Sequence, residues 1–182
     1  MKELAMNKSV APNAPRERLE RRIRQWTLVV IVGLVLSGVT AIPLETELNC
    51  AAQLLVVGGP ASAPPGSGLA HWIGWVQTGL RETNRQYPFM AYGTDWLAFA
   101  HFVIAIAFVG ALREPVRNRW LFDFGLIAAG LVIPFALLAG GLRGIPFYWR
   151  WIDCSFGVGA ALPLWYCRKW ARQAEALAGK DA

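Results

Sequence analysis

The run QWTLVVIVGLVLSGVTAIPL, residues 25–44, holds no Asp, Glu, Lys or Arg. Twenty residues of helix rise about 30 Å, the thickness of a bilayer's hydrocarbon core, so this segment reads as a membrane span. It sets the class of the whole chain. Three further apolar runs follow it. Residues 96–112 lie between Asp95 and Arg113, and residues 124–142 form a longer uncharged stretch. The last run, between Asp153 and Arg168, is short. Residues 149–152 extend it at one end, and the Arg168 side chain can snorkel at the other. The expected spans are 25–44, 95–112, 120–142 and 150–167, and the expected fold is an all-α integral membrane four-helix bundle. Composition agrees, since 55% hydrophobic and 16% charged residues in 182 is too apolar for an ordinary soluble domain.

Lysine and arginine set the orientation, because short cytoplasmic segments retain them. With the N-terminus inside, Lys2, Lys8, Arg16, Arg18, Arg21, Arg22 and Arg24 of the tail fall inside. So do Arg113, Arg117 and Arg119 of the middle loop, and Arg168, Lys169, Arg172 and Lys180 at the far end. Only Arg81, Arg85, Arg143 and Arg150 fall outside. Both termini are therefore expected in the cytoplasm, with residues 1–24 and 168–182 as tails around a membrane domain of residues 25–167. Seven of the nine tryptophans (Trp26, Trp96, Trp120, Trp149, Trp151, Trp165 and Trp170) flank these spans, as an interfacial aromatic belt would. The net charge of +6 is explained by topology and by anionic lipid heads, so nucleic acid is not an expected partner. A cleavable signal peptide fits less well than a signal anchor: 24 residues precede the first span, and the apolar run exceeds the usual ~7–15 residues.

The outer segment, residues 45–94, is divided by PASAPPGSG at 60–68, a linker composition without helical tendency. Either half suits a short helix. Over 69–85, Trp72, Trp75, Val76, Gly79 and Leu80 recur at helical spacing with polar residues between them. This predicts an amphipathic helix that lies on the outer membrane surface or caps the bundle. The basic cluster from Arg16 to Arg24 suits a short surface helix. Helix contact in lipid depends on small residues, and Gly33 with Ser37, Gly125 with Ala129, and Gly157 with Ala161 are spaced for it. Pro134 and Pro163 are expected to kink their helices. No internal repeat or inverted pair of broken helices is visible.

Few residues can carry chemistry. His101 lies six positions beyond Asp95, about 9 Å into the second span, where an ionisable group is a functional candidate. Its structural alternative is a neutral ring bonded to a neighbouring helix. His71, the other histidine, shares a face of the outer helix with Trp75, Thr78 and Glu82. Were the two to approach, they would suit a metal completed by Asp95, Glu82 or Asp153, or the axial positions of a b-type haem. Asp153 is expected in the first turn of the last span, with Arg150 as its i−3 partner. Together, Asp95, His101, Arg143, Arg150 and Asp153 make a candidate outward-facing pocket for an anionic headgroup or a quinone-like ring. Asp123, four residues after Arg119, reads as a helix-start anchor. Cys50 and Cys154 are candidates for an external disulfide, while Cys167 belongs on the reducing side.

No CxxC, CxxCH, HExxH, GxSxG or phosphate-binding glycine loop occurs. The leading expectation is a non-enzymatic accessory subunit or binder of a lipid-like ligand, within a larger membrane complex or a homo-oligomer. A redox protein holding haem, metal or quinone through His71 and His101, and an oligomeric transporter, are the alternatives.

Overall fold

The structure is a computed structural model that describes residues 14–55 and 68–178. Lys2, Lys8, Pro12, Lys180 and residues 60–67 of the linker lie outside them. The described residues form six helices and no strand: α1 (Ala14–Ala41), α2 (Leu44–Leu55), α3 (Gly68–Gln86), α4 (Tyr92–Arg113), α5 (Trp120–Leu142) and α6 (Phe147–Ala178), with a 3₁₀ turn at Pro88–Ala91. Three stretches, Pro15–Ala41, Pro88–Arg113 and Trp120–Leu142, are long and apolar enough to cross a membrane. That marks an integral membrane protein. α6 is the longest helix but not among these three, because polar and aromatic residues dilute its apolar stretch.

Two of these helices outrun the segments expected to span. α1 begins eleven residues before Gln25, so the basic cluster is its first three turns rather than a separate surface helix. Arg16 pairs with Glu20 at 2.9 Å and Arg24 with Glu20 at 3.8 Å, the i, i+4 contacts that keep a charged segment helical. α6 likewise continues eleven residues beyond Cys167. Hydrocarbon thickness limits how long a helix must be apolar, and does not limit how long it can be helical.

The chain divides into two units, one of Met1–Val32 with Ala105–Ala182 and one of Gly33–Ile104. In the first, α5 and α6 pack as an antiparallel hairpin. A β-carbon on Gly125 would meet the Leu164 side chain at 2.9 Å, and one on Gly157 would lie 2.5 Å from the Ala129 carbonyl oxygen. Farther along, Cys154 Sγ donates to Ile133 O at 3.9 Å. Each step forward on α5 thus meets a step backward on α6, through buried Gly125, Ala129, Ala136, Cys154, Gly157 and Leu164. The small side chains allow close approach where lipid gives no hydrophobic drive for association. The opposite faces are bulky and open, with Phe135 of α5 72% exposed and Phe156 of α6 70% exposed.

The α5–α6 connection is set by Gly144, whose φ of +70° only glycine adopts without strain. Ile145 N bonds Gly140 O at 2.9 Å and Gly144 N bonds Gly141 O at 3.3 Å, the pair of reversed bonds that closes a helix C-terminus. At the other end of the unit, Asn118 Nδ2 donates to Gly110 O at 2.9 Å and to Glu114 O at 3.2 Å, a second bond to carbonyls that already accept from the Glu114 and Asn118 backbone N–H groups where α4 ends. Ile23 and Thr27 of α1 are fully buried beside Cys167, whose thiol donates to Ile23 O at 3.7 Å.

In the second unit, α2 and α3 pair through polar side chains. The packing glycine of α1 here is Gly38 rather than Gly33: a β-carbon on Gly38 would meet Phe102 at 2.7 Å and Ala98 O at 3.0 Å, while Gly33 and Ser37 are exposed. Leu34 and Ala41 stand four before and three after Gly38, on its face. Gly33, five before it, is turned to the other side.

Candidate functional site

In the second unit, Asp95 is exposed in the first turn of α4, where the helix dipole favours a carboxylate. His101, two turns further, is half-buried between the fully packed Ala98 and Ala105. Its Nδ1 lies 2.7 Å from the Leu97 carbonyl oxygen. A carbonyl only accepts, so Nδ1 carries the proton and Nε2 is the atom left for another partner. The expected bond to a neighbouring helix is therefore replaced by one to its own helix. His71 is half-buried on α3, with Trp75, Thr78 and Glu82 exposed along its side of the helix.

In the first unit, Arg143 is exposed at the end of α5 and its N–H closes on Ala139 O at 3.0 Å. Arg150 does not take Asp153 as its partner. Its side chain lies along a shelf made by Gly140 and Gly141, where a β-carbon on Gly140 would be 3.0 Å from Arg150 Cγ. Nε donates to Ile145 O at 2.8 Å and one terminal nitrogen lies 3.5 Å from Leu137 O. The guanidinium also stands 6.0 Å over the Phe147 ring. The carbonyl-rich C-terminus of α5 attracts this cation more than a single carboxylate does, and the two glycines leave the room it needs.

Asp153 is consequently left half-buried, with no ion pair among the described residues. It is also not in the first turn, since α6 starts at Phe147 just after Pro146. Asp123 does stand in the first turn of α5, but its ion-pair partner is Arg168 of α6, while Arg119 pairs with Glu175. Two interhelical ion pairs thus replace the expected local one. All three cysteines are free, with Cys154 and Cys167 buried and Cys50 exposed, so the Cys50–Cys154 disulfide is not formed. Among the described residues no three His, Cys, Asp or Glu side chains gather as a metal site requires.

Two polar assemblies escaped the sequence reading. The first joins α2 to α3: Asn49 Oδ1 accepts from Gln77 Nε2 at 2.5 Å and from Arg81 at 3.0 Å. Glu45 accepts from Asn84 Nδ2 at 3.1 Å and lies 3.7 Å from Arg81. An open cavity of about 450 Å³ is bordered by Asn49, Ala52, Gln53, Gln77 and Arg81. The readable signal was the i, i+4 pair Glu45 and Asn49 opposite Gln77 and Arg81. The second assembly is a group of aromatic and basic side chains on α1 and α6. No protein-family model, curated protein or solved structure matches the chain.

Proposed function

We propose that α1, α4, α5 and α6 all cross a bacterial inner membrane with both termini cytoplasmic, and that the protein is a non-enzymatic accessory subunit or binder of a lipid-like ligand at an outward-facing polar pocket. The observation that carries the ligand or subunit reading is Asp153. A half-buried carboxylate is costly without a partner, and Arg150, the nearby cation, is committed to the end of α5. His101 supports the same reading from the second unit, since its Nε2 still has an acceptor site to fill. For α6 as the fourth span, the support is length. Arg150 and Arg168 are eighteen residues apart. That distance is about 27 Å of helix, near the ~30 Å of a hydrocarbon core.

Reporters fused after Leu112 and at the C-terminus test the topology, with a third near Pro64. The first two are expected to report cytoplasm and the third the exterior; an external C-terminus refutes the fourth span. Asp153→Asn and His101→Ala test this reading, and both are expected to lower ligand retention more than His71→Ala. Equal, negligible effects of all three refute it. A Soret band in the purified protein would replace this reading with the redox one.

A further inference from the structure

The aromatic and basic group on α1 and α6 lies within the first unit and takes no part in the pocket proposed above. Tyr166 stands at its centre, with ring centroids 6.1 Å from Trp26, 5.0 Å from Trp165 and 5.4 Å from Trp170. Arg22 lies 5.9 Å over the Trp170 ring and Lys169 5.2 Å over the Trp165 ring. Trp165, Arg168, Lys169, Arg172 and Gln173 line an open cavity of about 290 Å³.

Arg168 is neutralised by Asp123. Arg22, Lys169 and Arg172 have no carboxylate in ion-pair reach among the described residues. Stacking on a ring orients a cation but leaves N–H donors free for an anion. Two uncompensated positive charges, Lys169 and Arg172, therefore line one cavity walled by Trp165, while Arg22 stands over Trp170 elsewhere in the same group.

The order of side chains along α6 identifies the anion. Val158, Leu162, Trp165, Lys169 and Arg172 follow one another at spacings of four, three, four and three, so they form one stripe on the helix. All five are exposed. The stripe runs from aliphatic through aromatic to cationic, as a phospholipid runs from acyl chain through glycerol to phosphate. A soluble phosphate would use only the last two positions. We propose that this stripe binds an anionic phospholipid: the phosphate on Lys169 and Arg172, the glycerol region at Trp165, and an acyl chain along Leu162 and Val158. The inference rests on α6 crossing the bilayer, which brings the cations to headgroup level.

The test is retention of phosphatidylglycerol against phosphatidylcholine of the same chains, read by native mass spectrometry of the protein in mild detergent. Phosphatidylglycerol is expected to be held preferentially. The double variant Lys169→Gln, Arg172→Gln is expected to lose roughly twenty-five-fold in that retention, at about fivefold per cation. Arg172→Gln alone is expected to lose about fivefold, which covers the case in which the double variant does not fold. Arg85→Gln, an exposed arginine of α3, is expected to change nothing. Equal retention of the two lipids, unchanged retention in Arg172→Gln, or displacement by inorganic phosphate at matched concentration would each overturn the proposal. An external C-terminal reporter would instead refute the fourth span, so the two failures are told apart.

Discussion

Replacing Gly157 by alanine adds one methyl group where the α5–α6 hairpin has no space for it. The new β-carbon would sit 2.5 Å from the Ala129 carbonyl oxygen and 3.2 Å from Val132 Cβ. A carbon–oxygen contact relaxes at roughly 3.3 Å, so the helices must part by about 0.8 Å, and the obstacle is backbone, which cannot swing aside. Such a gap forfeits about a quarter to a half of each dispersion contact it opens. Overpacking of this kind costs about 1–3 kcal/mol, against which alanine regains about 0.5–1 kcal/mol of helix propensity. The net expectation is a loss of about 1–2 kcal/mol. Gly159→Ala supplies the control two residues away, since a β-carbon there meets nothing within 4 Å. It carries the same propensity gain without the clash and is expected to be neutral or slightly stabilising. Melting followed by tryptophan fluorescence in mild detergent reads both, at roughly 2–4 °C per kcal/mol for a chain of this size. If Gly157→Ala melts with Gly159→Ala, at or above the unmodified protein, the close approach of α5 and α6 at this point is wrong.

Further substitutions probe the same unit by the same melt. Asn118→Ala removes the second donor to Gly110 O and Glu114 O, which keep their backbone bonds, and is expected to cost about 0.5–1 kcal/mol; no change would mean that these side-chain bonds add nothing to stability. Arg150→Gln is expected to cost about 1.5–3 kcal/mol by removing a charge-assisted bond to Ile145 O, and Gly140→Val, which blocks the shelf under Arg150, should lower the melting temperature too. Exchange of partners at Asp123 and Arg168 is expected to rescue what each single charge reversal loses, with a coupling of about 0.5–1 kcal/mol because both side chains are over a third exposed. A double variant no more stable than the singles would separate the two residues.

What the sequence made legible were the apolar runs, because a bilayer demands an uncharged length and charged residues bound it visibly. Helix ends were not legible by the same rule. Arg16 to Arg24 and Arg168 to Ala178 look like tails only when apolarity is taken for helicity. Their i, i+4 ion pairs and the buried Ala171 and Ala174 show the helices going on. Gly33 and Gly38 are equally good as small residues, and only the direction of the packed face separates them. For the candidate site, residue types were legible and partners were not. Arg150 and Asp153 stand at an attractive spacing, yet the pairing loses to carbonyls at the end of α5, five and thirteen residues back along the chain, made accessible by two glycines that carry no charge signal. Arg119, similarly, passes over Asp123 for Glu175. Competition between partners distant in sequence cannot be ranked from spacing alone.

The unbroken course of α6 has a practical consequence. From Phe147 to Ala178 no loop interrupts the helix, and Pro163 is its one internal proline. Thirty-two residues amount to about 48 Å of continuous rod. A rigid helical domain grafted in phase after Ala178 would inherit the azimuth of the buried stripe, and each added residue would rotate it by about 100° while raising it about 1.5 Å. The helix is thus a ready-made handle for a fiducial of known orientation, of the sort that particle alignment needs for a 20.0 kDa chain.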